Sequence, residues 1–263
     1  IAVDLKTAEG RELVHKLVES SDVFIENYRQ GVPERLEMDY DSLKKINPKL
    51  IYASGTGYGP LGPDSARPSL DGCGQARSGL MMSATQQSQT EPSYVAGAVS
   101  DQMGGIVLCL GVISALYARE QSGVGQRVDV SHLSSTMWLQ GLAVSMQLLS
   151  GYHYRSTDRK NPLNPLVNAY ECADGRWIQF MSAQFQRYWP DFATALGISD
   201  LIDDPIVGDI KGMAAGSPEL TKIIADRFKT KAVDEWIDIF NQYKDLIFAK
   251  VQSVEELETD PQV

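Results

Sequence analysis

The sequence predicts an α/β protein: a Rossmann-like large domain built on a parallel sheet, followed by a smaller α+β domain. Three observations carry this. Short apolar strands alternate with helix-period segments over the first third, the pattern of βαβ units. Apolar helical stretches then run to about residue 150. After a basic, Pro- and Asn-rich stretch the pattern changes to a hairpin signature and amphipathic helices. The right-handed crossover rule turns the first pattern into a doubly wound layer. We therefore expect a large domain over 1–150, a linker over 151–164 and a small domain over 165–263.

Each element has its own warrant. Ile1–Leu5 is a short apolar strand. Thr7–Ser20 places Leu13, Val14, Leu17 and Val18 at helical spacing. Asp22–Glu26 is a second strand, Tyr40–Ile46 a short helix with Asp41 as cap, and Leu50–Ser54 a third strand. A long Gly- and Pro-rich loop, Gly55–Pro68, follows, and its length suggests function more than connection. Asp71–Ser83 reads as a helix plus turn, Ala84–Pro92 as a polar loop, Asp101–Gln121 as a long buried helix. Gln126–Val130 is a strand and Leu133–Leu149 another apolar helix. Beyond the linker, Asn168–Cys172 and Trp177–Met181 flank Ala173-Asp174-Gly175-Arg176, an Asp-Gly hairpin. Helices over Gln184–Leu196, Pro218–Phe228 and Ala232–Tyr243 precede a last strand, Ile247–Val251.

Bulk properties narrow the function. The 263 residues carry a net charge of −10, with pI about 4.8. That argues against nucleic acid or an anionic membrane as the main partner, but leaves room for a local basic pocket. Cys73, Cys109 and Cys172 are far apart and odd in number, so neither zinc nor a disulfide framework is expected, and a cytoplasmic setting fits. No run approaches the roughly 20 continuous apolar residues of a membrane span. The chain opens without Met on residues that read as mid-sheet and stops just past a helical segment, so we expect a piece of a longer protein, cut at both ends.

Asp101 is the residue on which the chemistry turns. It sits in Ser100-Asp101-Gln102-Met103-Gly104-Gly105, at the mouth of the most apolar run, Ile106–Tyr117. An anion there is held by unpaired N–H groups and the helix dipole. On local sequence alone the simpler reading is an N-cap, with a reactive carboxylate the alternative. Gly55-Thr56-Gly57-Tyr58-Gly59 follows a strand but is no dinucleotide fingerprint, because Pro60 and Pro63 prolong the loop where a helix should begin. His15, His132 and His153 show no metal spacing and read as structural. His132 has Ser131, Ser134 and Ser135 as sequence neighbours, which by itself makes no triad. Lys6, Arg29, Arg35 and Arg67 lie at strand ends or in following loops, where α/β sheets bind ligands; each alone is an ordinary surface residue.

Together the segments form an ordered series. It runs Asp4-Leu5-Lys6-Thr7 with Gly10; Asp22-Val-Phe-Ile-Glu26-Asn27-Tyr28 with Gly31; and Asn47-Pro48 with Leu50-Ile51-Tyr52. It continues with Gly57-Tyr58-Gly59 and Gly62-Pro63; Arg67-Pro68 with Asp71 and Gln75; Asp101 with Gly104; and Gly125-Gln126 with Val128-Asp129-Val130. The series resembles the class III coenzyme A transferases, over residues 1–130 above all. The same superfamily contains 2-methylacyl-CoA racemases.

The resemblance implies an interlocked homodimer of two-domain subunits, with CoA and acyl-CoA as substrates and no permanently bound cofactor. It implies that Asp101 is a covalent nucleophile, forming a mixed anhydride and then an aspartyl-CoA thioester. Gly104 and Gly105 would let main chain approach to supply oxyanion donors. Lys6, Asn27, Tyr28 and Arg35 carry over as CoA-binding positions, Arg67 matches approximately, and Asp71, an acidic position near the active site, is counted with them as a ligand contact. The racemase alternative needs a His before Asp71 and a supporting Glu; here those positions hold Leu70 and Gln184, and Leu transfers no proton. A non-catalytic partner subunit is a third reading, opposed by the presence of Asp101. Leu80, Met81 and Met82 suit either an acyl pocket or core filling.

Overall fold

The computed structural model describes residues 1–207 and 210–263 and divides into two compact units, Ile1–Ser156 and Thr157–Val263.

In the first unit α1 (Ala8–Val18) starts where the Thr7 side chain accepts from the Gly10 N–H. Three parallel strands follow in sequence and in space: β1 (Val23–Glu26), β2 (Ile51–Thr56) and β3 (Arg127–Ser131). The register pairs Glu26 with Ser54 and Thr56 with Ser131, so all three strands end at one edge of the sheet. Between β1 and β2 lie α2 (Val32–Arg35) and α3 (Tyr40–Ile46). The cap of α3 is Asp39, which accepts from the Ser42 N–H, rather than Asp41. Ile1–Leu5 forms no strand: it pairs with none of the three, and from Asp4 the backbone turns into α1, the Thr7 N–H donating to the Asp4 carbonyl.

The segment from β2 to β3 supplies α4 (Asp71–Ser78), α5 (Leu80–Ala84) and α6 (Val99–Ser122). Gly79, at φ 86°, separates α4 from α5 in a conformation that favours glycine. After β3 come α7 (His132–Leu139) and α8 (Gly141–Ser150), where the sequence pattern gave one helix. The break is at Gln140, whose amide donates to the Ser78 carbonyl and accepts from the Ser83 hydroxyl. Those tertiary bonds outweigh the continuous apolar period.

The first unit buries a small core of Val18, Leu43, Leu50 and Tyr52 against Val14, Phe24, Tyr40 and Ile46. Along α6, Ile106, Leu110, Ile113 and Tyr117 share one helical face and stand exposed. Trp138, Leu142, Leu148 and Leu149 are exposed on α7 and α8. Among the described residues α6 is the one helix long and apolar enough to cross a membrane, by length and composition alone. It holds no 20 continuous apolar residues, since Asp101, Gln102, Gly104, Gly105 and Gly111 interrupt the run, but its average hydropathy stays high.

The second unit is an antiparallel sheet of β4 (Ala169–Glu171), β5 (Trp177–Phe180) and β6 (Phe248–Lys250), packed with α9 (Phe185–Leu196), α10 (Ile210–Phe228) and α11 (Val233–Phe240). The β4–β5 turn carries Gly175 at φ 75°, as the Asp-Gly pair requires. Its core is large and aromatic: Phe180 meets Phe192 and Phe240 edge-on and Phe228 and Phe248 at a tilt.

Candidate active site

The three strand ends open onto one cleft of about 660 Å³, a normal size for a small-molecule site. β1 leads into Asn27, Tyr28 and Arg29, β2 into Gly57, and β3 into His132; all line the cleft. The first turns of α6 contribute Asp101, Gly104, Gly105 and Leu108, and the Gly55–Pro68 loop and its continuation contribute Ser65, Arg67, Pro68, Ser69 and Leu70. Ligands bind at this edge of a parallel sheet because the loops that follow the strands surround it.

Asp101 is not the cap of α6. The helix begins at Val99, after Gly97 and Ala98 in left-handed conformation, and no side chain of its own caps it. The cap comes from α4. Asp71 Oδ1 accepts from the Ser100 N–H at 2.7 Å and the Asp101 N–H at 3.3 Å. Its Oδ2 accepts from Gln75 Nε2 and the Tyr94 hydroxyl, both at 2.8 Å. With Asp71 holding the helix end, the Asp101 side chain is free to face the cleft, and 53 % of it is exposed. Burial pushes the Asp71 carboxyl up, but these four hydrogen bonds outweigh it and hold the group below the ordinary carboxylate value. Both oxygens are doubly occupied, so Asp71, expected to contact the ligand, is corrected to a buried cap.

Among the described residues the Asp101 carboxylate has one partner. His132, the first residue of α7, places Nε2 3.0 Å from Asp101 Oδ1. Its Nδ1 lies 3.3 Å from Ser69 Oγ. A carboxylate accepts only, so Nε2 donates to it, and the Ser69 hydroxyl, which also reaches the Leu70 carbonyl at 3.3 Å, is placed to partner Nδ1. The packing around this chain of groups is tight. A Cβ on Gly57 would come within 2.2 Å of Ser69 Cβ, and one on Gly74 within 2.8 Å of His132 Cβ. The Gly57 carbonyl also accepts from the Leu133 N–H, fixing the start of α7. The Ser131 side chain caps α7 by accepting from the Ser134 N–H.

Gly104 and Gly105 line the cleft but do not supply oxyanion donors. They lie in the second turn of α6, beyond its free N–H groups, so their amides point back along the helix to carbonyls four residues earlier. A Cβ at Gly105 would meet nothing within 4 Å and one at Gly104 only ordinary contacts, so the pair leaves the wall open. Asn27 and Tyr28 are positioned by Glu26, buried at the end of β1, whose Oε2 accepts from the Tyr28 N–H at 2.7 Å. Arg67 lines the cleft while paired to Asp64 at 3.0 Å, and its side chain is largely exposed.

Lys6 and Arg35 are exposed and line no part of the cleft, nor do Leu80, Met81 and Met82 of α5. Sequence reading missed His132, which it took as structural, and Ser69, which it did not single out. A signal was present: His132 directly follows a strand end, where ligands gather, but which element it faces is a tertiary fact.

The fold and this cleft define an α/β protein with a small-molecule site at the carboxyl ends of a parallel sheet, centred on a helix-terminal carboxylate. The chain belongs to CoA-transferase family III, whose model matches residues 1–263. It is 30 % identical over 262 residues to (R)-2-hydroxy-4-methylpentanoate CoA-transferase of Clostridioides difficile, covering all of this chain and 65 % of that protein. It is 32 % identical over 277 residues to succinate–glutarate CoA-transferase of Agrobacterium fabrum, with 100 % and 65 % covered. A solved CAIB/BAIF family protein from Brucella suis superposes with a TM-score of 0.87 at 29 % identity, covering 100 % of this chain and 68 % of that one. The chain thus spans about two-thirds of the length of the relatives it matches.

Proposed function

We propose that this protein transfers coenzyme A from an acyl-CoA thioester to a carboxylic acid, with Asp101 as covalent nucleophile. The observation that carries the reading is the placement of Asp101. Its carboxylate stands in the N-terminal turn of α6, freed from capping by Asp71, and opens into the cleft. A carboxylate nucleophile attacks without a base.

The free Asp101 oxygen attacks the acyl carbon; the C–S bond breaks and CoA leaves as thiolate. The thiolate sulfur then attacks Asp101 Cγ, releasing the donor acid and leaving an aspartyl-CoA thioester. An acceptor carboxylate reverses both steps and departs as the new acyl-CoA. Asn27, Tyr28 and Arg67 suit contacts to CoA in the cleft, and Arg29 adds positive charge beside them. Lys6 and Arg35, exposed and outside the cleft lining, are left for the phosphates of CoA. The relatives' acids, a branched 2-hydroxy acid and two dicarboxylates by name, support small organic acids as acceptors.

The racemase reading gains one point from the structure, since His132 supplies a histidine beside Asp101. The distance opposes it. Two proton carriers flanking an α-carbon must each reach it from opposite sides. Groups hydrogen-bonded to one another at 3.0 Å leave no space between them.

A second copy of the chain suits the exposed apolar faces of α6, α7 and α8, so we read the protein as a homodimer and α6 as an interface helix rather than a membrane span. Three separated cysteines suit a reducing cytoplasm. The test is acyl exchange by the full-length protein across a panel of acyl-CoA donors and carboxylic acids. Exchange that needs an acid acceptor and is lost in Asp101→Ala supports the reading. α-Proton exchange in D₂O without acceptor would replace transferase with racemase, and CoA binding without either reaction would leave a binding subunit.

A further inference from the structure

We propose that His132 is the oxyanion donor for the aspartyl half of the reaction, holding Asp101 Oδ1 while Oδ2 is made and broken. This rests on the reading of Asp101 as nucleophile and adds a catalytic residue to it.

The two oxygens of Asp101 are not equivalent. Oδ1 accepts from His132 Nε2 at 3.0 Å, whereas among the described residues no side chain or N–H hydrogen-bonds Oδ2. Oδ2 is therefore the attacking atom. When it bonds to the acyl carbon, Oδ1 becomes the carbonyl oxygen of the aspartyl half of the anhydride. Attack of thiolate sulfur on Cγ moves an electron pair onto Oδ1. That charge develops at the atom His132 already touches, and it returns to the carbonyl when the Cγ–Oδ2 bond breaks and the donor acid leaves with Oδ2. The same charge reappears on Oδ1 when the acceptor carboxylate attacks the thioester and thiolate departs. His132 neither gains nor loses its proton; it acts as a fixed N–H dipole.

The surroundings fit a preorganised donor. The carboxylate beside Nε2 is an acceptor only and so calls for the proton there, and Ser69 Oγ at 3.3 Å gives Nδ1 a hydroxyl partner. Gly57 and Gly74 close against Ser69 and His132 so tightly that neither tolerates a Cβ without movement. The side chain is 22 % exposed, partly withdrawn from water, which strengthens its dipole at the reacting carbon. The helical amides of Gly104 and Gly105 are engaged within α6, so the role expected of them passes to this imidazole.

The experiment mixes full-length protein with acyl-CoA and no acceptor. Acid quench and peptide mass analysis then follow the acyl and CoA adducts on Asp101 in wild type, His132→Ala, His132→Gln and Ser69→Ala. We expect the thioester to form about a hundredfold more slowly in His132→Ala, the usual effect of losing one oxyanion donor. The acyl adduct should accumulate while the KM for acyl-CoA changes little. His132→Gln keeps an N–H donor and should recover part of the rate, and Ser69→Ala should fall between that variant and wild type. A purely structural role for His132 would lower both adducts together and leave their ratio unchanged, which overturns the proposal. So does thioester formation at the wild-type rate in His132→Ala, or, if that variant does not fold, in Ser69→Ala and His132→Gln alike. Absence of any Asp101 adduct in wild type would instead sink the nucleophile reading itself.

Discussion

Replacing Asp71 by Ala should loosen the first turn of α6 and, through it, the active-site carboxylate. The magnitude follows from the four donors. Gln75 retains its bond to the Val95 carbonyl at 2.8 Å, and the exposed Tyr94 hydroxyl can turn to water, so these two lose little. Ser100 is fully buried, and its N–H would be left with no acceptor; the Asp101 N–H loses a longer bond. One orphaned bond to a charged acceptor, a weaker second one and the lost charge at a helix N-terminus sum to about 3 kcal/mol. Asp71→Asn keeps an Oδ1 acceptor and should cost about 1 kcal/mol, as for a neutral cap. Urea titration with hydrogen exchange read at the α6 amides measures both; about 3 kcal/mol corresponds to more than a hundredfold faster opening. A loss under about 0.5 kcal/mol for Asp71→Ala would refute the view that α6 is capped from α4, given typical cap energies.

Asp101→Asn keeps the side chain's shape beside His132 but should lower exchange at least about a thousandfold, measured by transfer between two acids, as expected for a lost nucleophile. Gly57→Ala should cost about 1–3 kcal/mol by overpacking against Ser69 and reduce kcat more than stability alone explains, checked by unfolding and steady-state kinetics. Stability should fall at acid pH. Burial raises the carboxyls of Asp71 and Asp39, but hydrogen bonds bring both below their ordinary values, so their contribution is present above the unfolded pKa and lost as pH falls through the folded one. Asp71→Asn should flatten part of that acid slope in urea titrations. Burial, aided by Asp174 and Glu171, pushes the Cys172 thiol up to about 11, so iodoacetamide should alkylate exposed Cys73 well before Cys172, read by peptide mass.

Much of this architecture is visible in the residues. Val23–Glu26 and Ile51–Thr56 open on apolar residues and are bounded by turn residues, while Arg127–Ser131 alternates Val128 and Val130 with polar residues, and both patterns are read locally. The α3 helix was legible to the residue, its cap displaced by two, because both Asp39 and Asp41 are good caps and only geometry chooses. Ile1–Leu5 and the α7–α8 break were not legible. Pairing needs a neighbour that composition does not supply, and Gln140 breaks its helix through bonds to residues about sixty positions away. Asp101, Asn27, Tyr28 and Arg67, singled out from ordered motifs, all line the cleft. Asp71 was found but given the wrong role, since a motif records a residue and not the donors that saturate it. His132 was misjudged because its meeting with Asp101 joins the start of α7 to the start of α6, a juxtaposition no local pattern carries.

The central claim is that Asp101 exchanges an oxygen with substrate on every turnover. Full-length protein turned over with an acceptor acid carrying ¹⁸O in its carboxylate should acquire the label in the Asp101 side chain, located by fragmentation of its peptide. Label at Asp101 that requires both acyl-CoA and acceptor is the predicted result. Efficient CoA transfer with Asp101 unlabelled, or with the label on another carboxylate, would contradict it.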